Sequence, residues 1–349
     1  MITGQNILFD KFSTFFSLGL KQPDLLFLLA SSTREHKHVE SMYKQMLGRF
    51  HSGENATFPN RDLNTFKYFE HNFFSILFLS LFKVLGIPTE RRLNYGVIIH
   101  AIRTVVTCTD NILDNENKGA VFLNLGLNNT VLDNVILSLL SQNIVGRALK
   151  NISDDEDIAE QAEEQILDSL SSIAKGESLT AAGSLDPLPE PEDIIENIHK
   201  KIGGELLRLA LIAPLKNEIQ LQPQLKLVES GILSIGIGLQ MLDDVVDFQE
   251  DIIVNKTNLL ASWIIYKEDN GYTYQALKDI ANSEETDVQN LFYTSQMEII
   301  NAAIGRALDG FDRFASVGYP INRAAAISVV KTMFKLRGLE KEWQKSNFA

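Results

Sequence analysis

The chain has 349 residues, of which 45 are acidic and 32 are basic, so its formal net charge is −13. This charge argues against binding to nucleic acid or to an anionic membrane, because both require a basic surface. The single cysteine, Cys108, excludes a disulfide framework, and its neighbours predict a small buried side chain. The first residues lack a signal-peptide pattern, and the most apolar run, 73–82, is about half a membrane span. A cytoplasmic protein without a transmembrane segment is therefore predicted.

Helical periodicity dominates the chain, because apolar residues recur every three or four positions through most of it. The segments predicted as helices are 69–81, 93–114, 130–149, 158–175, 192–215 and 225–248. The predicted breaks are 51–60, 86–88, 119–129, 187–191 and the stretch around 270–271. We find no alternating β pattern and no break long enough for an interdomain linker. The sequence therefore predicts one all-α domain over residues 1–349.

Two carboxylate clusters interrupt these apolar segments. Asp110 and Asp114 are four residues apart, so both project from one helical face, which also carries Thr107 and Arg103. An unpaired charge on an apolar helix is costly, so these carboxylates need an explanation.

The second cluster lies at the end of the segment 225–248. Asp243 and Asp247 are again four residues apart, Asp244 is beside them, and Gln240 and Gly236 extend the same face. Neither cluster has a basic cluster at matching spacing, and carboxylate oxygens suit Mg²⁺. Two such helices facing each other would hold metal ions at the mouth of an apolar cavity; the alternative is two acidic helix ends in solvent.

The two clusters resemble the aspartate-rich motifs of the trans-isoprenyl diphosphate synthases, the polyprenyl synthetase family. Gln240–Asp247 has the family's Q-x-x-D-D-x-x-D pattern, whereas the first motif has Asn111 where the family usually has Asp. HKKIGGELLRLA places the family's diphosphate-binding lysine on Lys201, and NKTNLL places the next one on Lys256. Glu177 stands where the family has the glutamine of its G-Q segment, and the similarity covers about residues 65–265.

The resemblance implies the all-α isoprenoid synthase fold around a deep apolar cavity, an allylic isoprenyl diphosphate substrate and a homodimer. It implies that Asp110 and Asp114 bind two magnesium ions and that Asp243, Asp244 and Asp247 bind a third. Substrate binding is assigned to the two lysines and to the faces of the motifs. The residues so assigned are Lys201, Lys256, Gln240, Arg103 and Thr107, together with Val105 and Val106. The two valines occupy positions where bulky residues commonly set product length in the family, so the resemblance allows a long prenyl chain.

The sequence departs from the family where basic residues bind isopentenyl diphosphate. The upstream segment has only Lys67 and His71, and the segment after the first motif, 115–119, has Lys118 but no arginine. Two enzyme activities therefore remain open, which are prenyl transfer with an atypical acceptor or basic cluster and cyclisation by a class I terpene synthase. Arg208 and Arg323 are the arginines that a cyclase could use. A non-catalytic regulatory subunit is the third alternative.

Two other patterns have simpler interpretations. Glu35-x-x-His38 and Glu196-x-x-His199 have the spacing of di-iron ligands, but their charged surroundings predict surface residues. Gly236 and Gly238 predict close helix packing or room for the cavity rather than a dinucleotide-binding turn, since no strand precedes them.

Overall fold

The computed structural model describes residues 22–49, 56–57, 65–115, 118–119, 121–123, 129–153, 155–181, 187–268, 271–283 and 291–349. Helices α1 to α6 are Pro23–Gly48, Thr65–His71, Phe73–Val84, Thr89–Asp114, Thr130–Ile152 and Glu156–Ala181. After α7 (Pro191–Asp193) come a π-helix, Ile194–Glu205, then α8 (Leu206–Asn217) and a 3-10 turn, Ile219–Leu221. Helices α9 to α15 are Gln222–Val246, Phe248–Ile253, Leu259–Lys267, Tyr274–Ala281, Tyr293–Ser316, Arg323–Leu336 and Glu340–Lys345.

The predicted all-α class is confirmed. Strand pairing among the described residues is limited to β1 (Ala56–Thr57) and β2 (Phe122–Leu123), which are antiparallel. The helical segments predicted at 93–114, 130–149 and 158–175 fall within α4, α5 and α6. The stretch 192–215 is helical as predicted, but twelve of its residues form the π-helix.

The chain divides into two compact units, which we name after the motif that each carries. The first-motif unit comprises Asp24–Ile166 and Leu209–Leu225, and the second-motif unit comprises Leu167–Arg208 and Lys226–Ala349. The single domain over residues 1–349 stays a prediction.

Helix α4 is the central element of the first-motif unit and packs along α5. Its apolar face contributes Tyr95, Ile98 and Ile102 to the core. Burial of each large apolar side chain stabilises the folded protein by about 1.5–3 kcal/mol. Cys108 is buried on the same helix, as predicted, and burial raises the pKa of its thiol to about 11. Helix α5 begins where the Asn129 side chain accepts a hydrogen bond from the Leu132 N–H.

Small residues allow helices of the second-motif unit to approach closely. A Cβ atom at Gly236 of α9 would collide with the carbonyl oxygen of Gly203 in the π-helix. A Cβ atom at Gly238 would lie 2.8 Å from the carbonyl oxygen of Ala303 in α13. The predicted packing role of both glycines is therefore confirmed.

Among the described residues, Ile219–Val246 is long and apolar enough to span a membrane by length and composition. Inside the protein, 61% of its 18-residue apolar window is buried. Such burial is typical of a core helix, and the cytoplasmic location stays a prediction.

Candidate active site

The first motif lies at the C-terminal end of α4, beside a cavity. Arg103, Thr107 and Asp110 follow one another along one face of the helix, as their spacing predicted. The cavity has a volume of about 470 Å³. Its lining residues are His71, Arg103, Thr107, Asp110, Asn111, Lys118 and Gly119. The cavity is therefore a polar pocket, at which the side chain of Asp110 is also exposed to solvent.

Asn111 explains why the first motif has an amide where the family usually has a carboxylate. Its buried side chain donates to the Lys118 carbonyl at 2.6 Å and accepts from the Lys118 N–H at 2.9 Å. It also donates to Asn134 Oδ1 of α5 at 3.1 Å. A carboxylate could not donate either of the bonds that the amide donates. Asn111 thus fixes the backbone of Lys118 at the cavity.

The cavity also collects basic residues that are far apart in the sequence. His71, Arg103 and Lys118 come from the end of α2, from α4 and from the loop after it. The Arg103 Nη1 atom donates to Asn72 Oδ1 at 2.8 Å, and burial lowers the pKa of Arg103. In the sequence, His71 and Lys118 stand where the family has a Lys-Arg pair and two arginines, and neither residue alone replaces that charge. Sequence reasoning could not bring them together, because they are 47 positions apart.

The other three predicted positions of this motif also belong to α4. Val105 and Val106 are partly buried on the helix, one turn before Asp110. Asp114 is the last residue of α4, and Asn115 ends the helix with a φ of 54°. The side chain of Asp114 lies outside the described residues, so its role stays a prediction.

The second motif lies where α9 ends and α10 begins. Asp243 and Asp244 are in the last turn of α9, and Asp247 is the residue between the two helices. Asp243 Oδ1 accepts from the Arg337 Nε–H at 2.7 Å, in a partly exposed ion pair. The positive charge beside this carboxylate is therefore the guanidinium of Arg337, the residue that follows α14.

Asp244 differs from its neighbours because it is buried and held by the protein. One oxygen, Oδ2, accepts from the Leu259 N–H at 2.6 Å and lies 2.9 Å from His199 Nε2. The Asp244 carbonyl accepts from Asn258 Nδ2 at 2.7 Å. This residue connects the π-helix, the end of α9 and the start of α11. Its assignment as a metal ligand stays a prediction, while its structural role follows from these bonds.

The interpretation of His199 as a surface residue is wrong. Its ring is buried against Asp244, whereas His38 and Glu196 are exposed as predicted. Glu35 is half-buried and forms an ion pair with Arg92 at 2.7 Å. The acidic and basic neighbours of His199 in the sequence point elsewhere on the helix, and only the tertiary contact with Asp244 distinguishes this histidine.

Negative charge accumulates around the second motif. Partial burial, and then the charge of Asp243, raise the pKa of Asp247. Burial raises the pKa of Asp251, four residues further on, to about 6, although Lys256 and Asn258 oppose this effect. Lys256 Nζ is 3.7 Å from Asp251 Oδ1. Partly buried carboxylates that are also close to other negative charges form an environment that favours an added cation.

The remaining predicted residues lie on the π-helix and on α9. Lys201 is partly buried on the π-helix, where its Cβ is 3.4 Å from the position that a Cβ of Gly176 would occupy. The segment of Gly176 and Glu177 on α6 is therefore next to the first predicted lysine. Gln240 is partly buried on α9, with its Cβ 3.1 Å from the corresponding position of Gly203. The structure thus places Gln240 against the helix of Lys201.

The chemistry of both motifs fits magnesium. Asp243 and Asp247 offer carboxylate oxygens that are at least partly accessible, and Asp110 offers another at the cavity of the first-motif unit. Hard divalent cations bind such oxygen donors, and Mg²⁺ completes its shell with water and phosphate oxygens. Nothing in this donor set favours a metal that requires nitrogen or sulfur ligands.

No protein-family model matches the sequence, and neither does any curated protein. Solved structures do match. Geranylgeranyl pyrophosphate synthetase from Pyrococcus horikoshii Ot3 covers 90% of this chain and 98% of its own, with a TM-score of 0.60 and 15% identity. Decaprenyl diphosphate synthase from Rhodobacter capsulatus covers 93% and 99%, with a TM-score of 0.58 and 14% identity. Heptaprenyl diphosphate synthase from Staphylococcus aureus covers 88% and 98%, with a TM-score of 0.53 and 13% identity.

These similarities extend over nearly the whole chain, well beyond the motif-bearing residues 65–265. The protein therefore has the fold of the trans-isoprenyl diphosphate synthases, and the all-α fold that the resemblance implies is confirmed. The deep apolar cavity stays a prediction. At this level of identity, the similarity establishes the fold and leaves the reaction to be argued from the site.

Proposed function

We propose that this protein is a magnesium-dependent prenyltransferase that ionises an allylic isoprenyl diphosphate and transfers its prenyl group to a second substrate. Its structural neighbours are prenyl diphosphate synthases, and its two aspartate motifs have the ligands that such chemistry needs. The protein is expected to act as a homodimer and to bind three magnesium ions with the substrate.

The observation that carries the proposal is the cavity beside Asp110. Three basic side chains, His71, Arg103 and Lys118, line this cavity, although the sequence lacks the Lys-Arg pair and the two arginines of the family. An anionic substrate needs such donors, and a basic cluster in a cavity of about 470 Å³ can bind a diphosphate. We assign this cluster to the diphosphate of the acceptor. Prenyl transfer is thereby favoured over cyclisation, which uses a single diphosphate.

The arginines available to a cyclase give further support. Arg208 Nε donates to Glu229 at 2.6 Å, and its Nη1 donates to Glu205 at 2.8 Å. Arg323 forms an ion pair with Asp312 at 2.5 Å. Both arginines are engaged by carboxylates of the second-motif unit, and a role in sensing a diphosphate would require these pairs to break.

The chain's residues then have distinct roles in the reaction. Asp110, Asp114, Asp243 and Asp247 would hold magnesium, which when bound neutralises charge on the diphosphate leaving group. Lys201 and Lys256 donate to the same leaving group as its C–O bond breaks. Thr107 and Gln240 orient the substrate, and apolar residues exclude water from the allylic cation. Val105 and Val106 occupy the positions where bulky residues limit chain length in the family, so these smaller side chains allow a long prenyl chain.

The test is to incubate the full-length protein with Mg²⁺ and an allylic diphosphate, with and without isopentenyl diphosphate. An elongated diphosphate that forms only with both substrates is the expected product by mass spectrometry. Asp110→Asn and Asp243→Asn should each lower turnover by about 100-fold or more, because each removes a charge that acts in the transition state. Asp309→Asn, at an exposed position of α13, is the matched control and should retain full activity.

The other outcomes identify the alternatives. A hydrocarbon or alcohol formed without isopentenyl diphosphate would show a terpene cyclase and overturn prenyl transfer. No diphosphate release from any allylic substrate would favour the regulatory subunit. Lys118→Met separates the role of the cavity from that of the metals, because it should raise the KM for the acceptor while ionisation of the allylic diphosphate continues.

A further inference from the structure

A second cluster of metal-ligating side chains lies inside the first-motif unit, away from both aspartate motifs. His36 and Glu40 are one turn apart on α1, and His100 faces them from α4. One ligand atom from each lies within 4.8 Å of the other two. Both histidines are fully buried, and Glu40 is partly buried. No local sequence pattern indicates this cluster, because 60 positions separate Glu40 from His100.

The hydrogen bond of His36 Nδ1 leaves the other ring nitrogen, Nε2, available as a metal ligand. His36 Nδ1 is 2.7 Å from the Tyr68 hydroxyl, and a hydrogen bond to Glu40, after burial, raises the pKa of that hydroxyl. If Tyr68 donates to Glu40, then the His36 Nδ1–H donates to Tyr68. His36 Nε2 therefore carries a lone pair, and it has no hydrogen-bond partner among the described residues. A buried acceptor without a partner costs about 1–3 kcal/mol.

We propose that His36, Glu40 and His100 form a binding site for a transition-metal ion, with zinc as the expected metal. Two imidazole nitrogens and one carboxylate oxygen form a known set of three zinc ligands. Tyr68 has the position of an outer partner that fixes the tautomer of a ligating histidine. Ligand atoms around a tetrahedral zinc ion are roughly 3.4 Å apart, so rotation of the side chains is enough to close the cluster.

Charge at the site selects among metals. Burial, and then the charge of Arg103, lowers the pKa of His36 to about 3, and burial lowers the pKa of His100 well below its usual value. Both rings are therefore neutral and able to bind metal. Arg103 opposes any cation, and it offsets the single negative charge of Glu40. Mg²⁺ and Ca²⁺, which are held mainly by charge, gain little here. A metal that bonds strongly to imidazole nitrogen is favoured.

The three ligands of this site are separate from the proposed catalytic residues, although the charge of Arg103, which lines the cavity beside Asp110, also acts on this cluster. His100 is ten residues before Asp110 on α4, which is about 15 Å along the helix axis. A metal ion there would join α1 to α4 and stabilise the first-motif unit without contacting the substrate. The inference is thus independent of the proposed function.

The test is calorimetric titration of chelator-treated full-length protein with Zn²⁺, in excess Mg²⁺ so that the aspartate motifs are occupied. Wild type should bind one equivalent. His100→Ala and Glu40→Gln should bind at least about 10-fold more weakly, while His38→Ala, an exposed histidine on α1, should bind like wild type. Failure of wild type to bind zinc, or equal binding by folded His100→Ala protein, would overturn the proposal.

A spectroscopic measurement on wild type covers the case in which the variants do not fold. Co²⁺ bound by two imidazoles and a carboxylate should give the intense visible absorption of a four-coordinate site. A weak spectrum typical of six oxygen ligands would place the ion at the aspartate motifs instead and would also overturn the proposal.

Discussion

Adjacent aspartates of the second motif have different physical roles. Asp244 is buried and accepts at one oxygen from Leu259 and His199, whereas Asp243 is partly exposed and paired with Arg337. Hydrogen bonds to a buried charged group contribute about 1.5–3 kcal/mol each, while an exposed ion pair contributes at most about 1 kcal/mol. The same residue type in consecutive positions therefore has unequal effects on stability.

We predict that Asp244→Ala lowers the free energy of unfolding by about 2–4 kcal/mol, because it leaves the Leu259 N–H and the His199 ring without their acceptor. Asp243→Ala should change it by no more than about 1 kcal/mol. Asp244→Asn, which keeps an oxygen acceptor, should fall between them. Urea unfolding monitored by circular dichroism measures all three. Equal losses for Asp243→Ala and Asp244→Ala would contradict the structural role of Asp244.

Arg337 acts as a resident counter-ion of the second motif. Its guanidinium lies 2.7 Å from Asp243 Oδ1, so a metal ion at this carboxylate must bind against its positive charge. We predict that Arg337→Gln raises the affinity of the protein for Mg²⁺ about two- to fivefold, the equivalent of losing one partly exposed ion pair. Arg323→Gln, which breaks the pair with Asp312, is the control and should not change it. Calorimetric titration with Mg²⁺ measures both affinities, and a weaker affinity in Arg337→Gln would contradict this account.

The sequence identified candidate residues better than it identified their surroundings. The four-residue spacing of aspartates within each motif was sufficient to identify Asp110 and Asp243 as candidate metal ligands, because local periodicity determines which residues share a helical face. The burial of His199 and the meeting of His71 with Lys118 depend on packing between distant segments. Such contacts leave no periodic signal in one sequence.

At the scale of elements, close approach between the π-helix and α9 depends on two glycines. A Cβ atom at Gly236 would overlap the carbonyl of Gly203, so neither helix can accommodate a side chain there without moving. At Gly305, in the middle of α13, a Cβ atom would have no heavy atom of the described residues within 4 Å, apart from its chain neighbours and the backbone of its own helix. Comparing substitutions at Gly236 and Gly305 therefore distinguishes the cost of overpacking from the general effect of glycine on helix stability.

We predict that Gly236→Ala lowers the free energy of unfolding by about 1–3 kcal/mol, because backbone atoms must move to relieve the overlap. Gly305→Ala should raise it by up to about 1 kcal/mol, because alanine restricts the unfolded chain and favours helix. Thermal unfolding of the two variants beside wild type tests the difference in sign. A stabilised Gly236→Ala protein would show that the helices are not in close contact at this position.

Element boundaries show what periodicity can and cannot predict. Helices α4, α5 and α6 were predicted within a few residues, because their apolar stripes are long and regular. The sequence also predicted helix over 192–215, but not that Ile194–Glu205 would be a π-helix. Both helix types bury one apolar face. A wider turn is tolerated where Gly203 and Gly204 lie in close contact with α9, and such distortions are frequent near functional sites.

At the scale of the whole molecule, the acidic excess has two parts. The excess of 13 acidic over basic residues is mostly a solvated surface, as in the exposed acids at the start of α6. A few carboxylates instead lie at helix ends in both units. The fold aligns with prenyl diphosphate synthases over about nine-tenths of the chain, although the sequence resembles the family only around the motifs. Fold similarity is retained because a core requires apolar periodicity more than particular residues.

The proposed function requires that metal ions and the allylic diphosphate stabilise the folded protein together. We predict that Mg²⁺ with a non-hydrolysable allylic diphosphate analogue at 100 times its Kd raises the free energy of unfolding by about 2.7 kcal/mol, because the analogue binds only the native state. Either component alone should have a much smaller effect. Asp110→Asn and Asp243→Asn should each remove most of the joint stabilisation, whereas the control Asp309→Asn should keep it. Differential scanning calorimetry measures the change, and full joint stabilisation of the Asp110→Asn protein would exclude the first motif from the metal–diphosphate site.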